Sequence, residues 1–283
     1  MEADTDKQGV LFMSEKDVVE RTPEPVTIGG MVRDLRGLGV EAGDVLMVHS
    51  SLCAIGWGCG GPQAVVEALL SAVGGEGTLV MPAQSGDWSD PAEWQNPPVP
   101  AEWCEIIYRE WPAFDPAVTP TRGMGRIAEL FRTYPGTKRS GHPQVSFCAN
   151  GRQAEAIVSG HPLTPQFGID SPLGKMCGMR AKVLLLGVGY HACTCFHLAE
   201  TMTPSMPVKR HGAAIRENGE RVWRWFEDYA YDADDFGRIG REMEMEGSVT
   251  VRKGKVGQAE CRLFDMKEAV DFAARWMAEN RRY

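Results

Sequence analysis

The segment Gly187-Val-Gly-Tyr-His-Ala-Cys-Thr-Cys-Phe-His-Leu-Ala-Glu200 holds the densest chemistry in the chain. Two histidines, two cysteines and a glutamate stand close together there, and three chemistries compete for them. His191, Cys193, Cys195 and His197 are all zinc-ligand types, yet they alternate by two, whereas structural zinc sites pair short-spaced ligands with a second, distant pair. Cys193 or Cys195 could act as a thiol nucleophile with a histidine in hydrogen-bond reach. His197 could act as a general base, because imidazole changes charge near neutral pH. A helix over 194–202 would put His197 and Glu200 on one face, three residues apart. A core histidine with a satisfied hydrogen bond is the plain alternative.

These residues need a frame. Lys182-Val-Leu-Leu-Leu-Gly187 reads as a buried strand that delivers the segment to a glycine-bearing turn, and ligands collect at carboxyl ends of strands in α/β folds. Thr27 reads as the N-cap of a helix to Leu38, with Ile28, Met31, Val32 and Leu35 at helical spacing. Asp44–Val48 reads as a strand ending at His49-Ser-Ser51, followed by a helix from Gly60-Gly-Pro62 and a strand Thr78–Met81. That order is βαβ-like. Further expected elements are a helix from Gly125 to Tyr134, a strand Val145–Cys148 and a helix Gly151–Ser159. A hairpin around Lys253-Gly254 and a closing helix from Met266 to Glu279 complete the reading. Residues 83–123 hold four tryptophans and seven prolines between Pro91 and Pro120, an ordered excursion rather than a linker. The expected organisation is a mobile arm over 1–26 and one α/β domain over 27–283, a mixed central sheet flanked by helices with an elaborated Trp/Pro-rich edge.

The 283 residues carry a formal net charge of −8, which argues against nucleic acid as a partner and suits a cationic one. No eighteen-residue apolar stretch exists, so no membrane partner is expected. The first twenty residues lack a basic-then-apolar signal pattern, so a cytoplasmic protein is expected. The eight cysteines are scattered and are read as mostly reduced.

The 187–200 segment resembles the signature of the aminoglycoside 3-N-acetyltransferase family, roughly G-V-G-x-D-x-N-T-x-x-H-L-A-E. The resemblance continues in Gly43–Leu52, Gly77–Pro82, Phe114–Gly125, Arg139–Pro143 and Phe226-Glu-Asp228. It implies an α/β fold unlike the GCN5-type acetyltransferases and acetyl-CoA as co-substrate, with no metal. It also implies acetyl transfer to the 3-amino group of a 2-deoxystreptamine antibiotic. Catalysis falls by resemblance on His197, with Glu227 orienting it or receiving the amine. Cofactor binding falls on His49, Ser50, Ser51, Leu52, Thr119, Thr121, Met124, Gly125, Arg139 and Ser146. Acceptor binding falls on Asp87, Glu200 and Asp228, with Asp90 and Asp232–Asp235 as further acids and Trp88, Trp94 and Trp103 as possible walls. His191 and Cys193 replace the family's frequent Asp and Asn, and both are expected near the acceptor. His142 is read either as a CoA contact or as a loop brace. A homodimer is the oligomer to test for. An acetyltransferase for another small amine, a Cys-His hydrolase and a non-catalytic binder of cationic ligands are the alternatives.

Overall fold

A computed structural model describes residues 14–282. In chain order the elements are α1 (Glu15–Arg21), α2 (Ile28–Leu38), β1 (Val45–Ser50), α3 (Leu52–Ile55), α4 (Gly61–Val73) and β2 (Thr78–Pro82). There follow α5 (Cys104–Glu110), α6 (Gly125–Arg132), β3 (Lys138–Arg139), β4 (Phe147–Gly151), α7 (Ala154–Val158), α8 (Pro172–Gly178) and β5 (Lys182–Leu186). The chain continues with α9 (Phe196–Glu200), β6 (Val208–Glu217), β7 (Glu220–Tyr229), α10 (Phe236–Glu246), β8 (Arg252–Val256), β9 (Ala259–Asp265) and α11 (Met266–Asn280).

The apolar runs of β1, β2 and β5 are buried on both faces, as central strands require. They form the parallel heart of a seven-stranded sheet ordered β3–β4–β2–β1–β5–β9–β8, with β4 and β9 antiparallel to their inner neighbours. Alternation along each strand feeds two cores. Leu46, Val48, Leu184 and Leu186 pack with the apolar faces of α2, α4 and α6. Met47, Val183 and Leu185 pack with α7, α8, α9, α10 and α11 on the other side. The expected mixed sheet between helices is therefore present, and His49 falls on the face that carries α9. Thr27 caps α2 through its hydroxyl, which accepts from Gly30 N at 3.1 Å.

Several local expectations shift. The strand expected at Val145–Cys148 lies at Phe147–Gly151, and the following helix starts only at Ala154. Gly151 ends β4 at φ +128°, where a Cβ would stand 2.2 Å from the Gly77 carbonyl. The hairpin turns at Gly257 rather than at Lys253-Gly254: Gly254 lies inside β8, opposite Cys261, while Gly257 has the positive φ of +57° that the turn requires. The part of the expected arm that is described is docked. Val18 is buried, Thr22 accepts from Trp57 N at 2.9 Å, and Val26 bridges Gly58. Residues 1–13 of that arm lie outside the described residues.

The Trp/Pro-rich excursion folds against the separate two-stranded hairpin β6–β7. Trp111 packs edge-on with Trp88 and Trp94 at 5.6 and 5.3 Å between ring centroids, and Tyr108 lies 4.9 Å from Trp223. The hairpin was missed in the sequence because its charges interleave with aromatics and leave no clean apolar face.

Candidate active site

β5 ends at Gly187, whose φ of +70° and 2.4 Å approach to Ala54 Cβ leave no room for a side chain. The chain turns there into a single helical turn at Tyr190–Ala192 and then into α9. Gly240 of α10 meets the Tyr190 ring so closely that a Cβ would fall 1.9 Å from it. This packing fixes the loop that presents His191, Thr194 and His197 to a cleft of about 430 Å³. The cleft opens at the carboxyl ends of β1, β2 and β5, where His49, Ser50, Pro82 and Val188 line it together with Gln84, Met124, Ala233 and Phe236.

α9 realises the i, i+3 pairing. His197 Nδ1 donates to Glu200 Oε2 at 2.5 Å, and Glu200 is completely buried. Glu200 Oε1 accepts from the Asp232 backbone N–H at 2.9 Å and from Arg281. Phe167 stacks on the imidazole at 4.6 Å with an interplanar angle of 8°, and Tyr231 and Phe236 close around it at 5.6 and 4.8 Å. The carboxylate fixes the tautomer and leaves Nε2 as the basic ring nitrogen.

The carboxylate on His197 is thus Glu200 and not Glu227. β7 turns Glu227 outward, exposed and opposite Arg210, because its neighbour Asp228 points inward. Asp228 in turn accepts from Gln166 N and Tyr229 N at 2.7 and 2.8 Å, so it holds the 161–167 loop to the hairpin. Burial raises its carboxyl above the usual range. Asp87 pairs with Arg122 at 2.8 Å and lines a neighbouring cavity with Trp94, Asn96 and Trp111 rather than the His197 cleft. Exposed Asp232 and Asp234 flank the cleft-lining Ala233 instead.

The cofactor candidates divide. His49, Ser50 and Met124 line the cleft. Met124 also borders a cavity of about 610 Å³ with Thr121, Gly125, Gly60, Gln63 and Arg126. Arg126 and Gly60 reach a further cavity of about 480 Å³ that includes Leu52 and Trp57. The first two share Gly123 and Met124 and the last two share Gly60, Pro62 and Arg126, so the three adjoin in a row, a trench of cavities that begins at the His197 cleft. Arg126 and Gly60–Gln63 were missed as candidates; the glycine-rich opening of α4 was the available signal. Arg139, Thr119 and Ser146 serve the fold. Arg139 donates to Ser146 Oγ, Ser85 Oγ and the Ala83 carbonyl at 2.9, 2.8 and 2.7 Å and also to the Thr119 carbonyl. Ser146 is fully buried and Thr119 nearly so. Ser51 precedes α3 and donates its N–H to Leu186 O at 3.0 Å.

The metal and thiol alternatives find little geometric support. Cys193 and Cys195 are fully buried with their sulfurs 3.4 Å apart, while His191 is exposed. Among the described residues no group of three or more His, Cys, Asp or Glu is arranged to hold a metal. The Cys193 contact and burial push the Cys195 thiol well above its ordinary range, the opposite of an activated nucleophile. Cys193 is sealed from the cleft, so of the two departures from the family signature only His191 reaches it.

His142 braces its loop. Its Nδ1 accepts from Gln144 N and Val145 N, both at 3.1 Å, and its ring lies 4.9 Å from His161. Burial holds His49 and His161 down to about 4 and His142 well below its usual range. Each is neutral in the native state, whereas the unfolded chain takes up protons below about pH 6.5. Stability is therefore expected to be intact above pH 6.5 and to fall as the pH drops towards 4. Urea unfolding between pH 7.5 and 5 checks this, and a flat unfolding free energy across that range would refute it.

A buried carboxylate–imidazole pair at the wall of such a cleft defines an α/β enzyme equipped for proton transfer. The aminoglycoside 3-N-acetyltransferase family model matches residues 47–278. The chain is 47% identical over 266 residues to the SPbeta prophage-derived aminoglycoside N(3')-acetyltransferase-like protein YokD of Bacillus subtilis (strain 168), covering 94% of this chain and 97% of that protein. The YokD crystal structure superposes with a TM-score of 0.92 at 46% identity, over 94% of this chain and 98% of YokD. Aminoglycoside N(3)-acetyltransferase VIII of Streptomyces fradiae is 39% identical over 279 residues, covering 94% and 96%. The structure of AAC-IIIb in binary complex with CoASH matches with a TM-score of 0.79 at 32% identity, over 90% of this chain and 97% of that one. The chain belongs to the aminoglycoside 3-N-acetyltransferase family and is an acyltransferase.

Proposed function

We propose that this protein transfers the acetyl group of acetyl-CoA directly to the 3-amino group of a 2-deoxystreptamine aminoglycoside, conferring resistance, with His197 as general base. The observation that carries this reading is the His197–Glu200 pair at the head of the trench past Met124 to Arg126 and Trp57. An elongated thioester fits the trench, with Arg126 beside its phosphates and its reactive end at His197. The CoA complex of AAC-IIIb supports the same donor.

An amine attacks a thioester only as the free base. His197 Nε2 accepts the proton of the attacking amine, directly or through one water, while Glu200 stabilises the imidazolium through Nδ1–H. Ser50 and Thr194 line the same cleft and supply hydroxyl donors for the carbonyl oxygen as charge develops on it. The proton leaves with the CoA thiol, so no thiol of the enzyme takes part. Asp232 and Asp234 attract the other ammonium groups of the acceptor, and His191 sets which ring substituents are accepted.

Thiol release from acetyl-CoA, followed against a panel of aminoglycosides, tests the reading. Acceptor-dependent release with a 3-N-acetylated product is expected. Release without an acceptor, an acetylated cysteine in the protein, or acetylation at another amine would overturn it.

A further inference from the structure

Glu200 is completely buried, and both of its oxygens are engaged. Oε2 takes His197 Nδ1–H, while Oε1 takes the Asp232 N–H and Nη1 of Arg281 at 2.5 Å. Arg281 stands just after α11, 81 residues further along the chain, and its side chain is 9% exposed. Its Nε and Nη2 hold the Asp235 carboxylate at 2.8 and 2.5 Å, and Nη2 also donates to the Asp232 carbonyl at 2.8 Å. A continuous chain of ionisable groups thus runs from His197 through Glu200 and Arg281 to Asp235. Among the described residues, Arg281 is the one Lys or Arg in ion-pair contact with Glu200.

A buried carboxylate is costly without a counter-charge, and breaking such a pair is strongly destabilising locally. A bare carboxylate also holds an imidazolium more tightly than one whose charge is offset by a guanidinium. The other titratable groups around the pair are His49 on β1, Tyr231 and Asp232 after β7, Asp235 ahead of α10, and His191 on the cleft wall. His49 is kept neutral by burial, so it brings no second cation to Glu200.

We propose that Arg281 is a positioning residue for acetyl transfer: it fixes the Glu200 carboxylate and offsets its charge, so that the carboxylate orients the His197 ring without over-stabilising its protonated form. The inference rests on His197 being the base, and the test separates the two.

Turnover is measured against pH for the wild type, Arg281→Ala and Arg281→Lys, with the His197 ring followed by NMR in each. Arg281→Ala is expected to move the acidic limb up by about one pH unit, a loss of about 10-fold on that limb. The rate should rejoin the wild type near pH 9, with the KM for acetyl-CoA unchanged. Arg281→Lys should restore most of the shift, as should added guanidinium ion with Arg281→Ala. An equal loss at every pH, or a His197 ring whose titration does not move, would overturn the proposal. A ring that moves without any change in the turnover profile would remove His197 as base and leave the Arg281–Glu200–His197 coupling standing. Should Arg281→Ala fail to fold, Arg281→Lys carries the same test through a smaller shift of the limb.

Discussion

His197→Ala is expected to lower kcat by about 10²–10⁴-fold, the usual contribution of a positioned general base, with folding and acetyl-CoA affinity retained. The ring lies between Phe167, Tyr231 and Phe236 at the cleft wall, so its removal leaves a small cavity and takes the Nδ1–H from Glu200 Oε2, while the Asp232 N–H and Arg281 still hold Oε1. The acidic limb of the pH–rate profile should disappear with it. The binding trench is built from other residues, so calorimetric affinity for acetyl-CoA should change little. Near-normal turnover with the same acidic limb would make His197 a core histidine and send the search for the base to His191, the one of the three cleft-lining histidines that is exposed.

Glu200→Gln is expected to cost about 10³–10⁴-fold in kcat, comparable with replacing the acid of a serine-type triad by its amide. The amide keeps the shape of the side chain. It can donate where the carboxylate accepted, however, and it then faces Nδ1 with the wrong partner and favours the unproductive tautomer. It also leaves the Arg281 guanidinium without its carboxylate partner on that side. A melting curve separates the chemical loss from the structural one: a variant that melts near the wild type and is still slow supports the orienting role. A Glu200→Gln enzyme with wild-type kcat would show that Nδ1 needs no anion, and Glu200 would then be a structural counter-ion of Arg281.

Glu227 and Glu200 illustrate where local pattern sufficed and where it misled. The i, i+3 spacing of His197 and Glu200 on a short helix was readable from the sequence, because helical geometry alone brings such a pair together. The resemblance instead placed on Glu227 the acid that orients the histidine or receives the amine. The choice between Glu227 and Asp228 as the inward residue of β7 depends on hairpin register, and a one-residue change of register exchanges the two faces. Arg139 posed a similar problem. An arginine near a loop rich in Ser, Thr and His suits phosphate as well as it suits five internal oxygen acceptors, and only the folded loops show that its donors are taken.

The sequence by itself determined the α/β class, the strands that carry the site and the family. Continuous apolar runs such as Lys182–Leu186, glycines at the turns and closely spaced functional residues are local properties of a chain. It also determined that His197 has the side chain to exchange a proton near neutral pH. The tertiary structure alone decided what surrounds that proton. It brought Asp232 and Arg281 to Glu200 across 32 and 81 residues, sealed Cys193 beside Cys195, diverted Asp87 to Arg122, and joined Met124, Arg126 and Trp57 into one trench. Those relations depend on helix packing, strand register and burial, which arise from contacts between distant segments and leave no periodic trace in the order of residues.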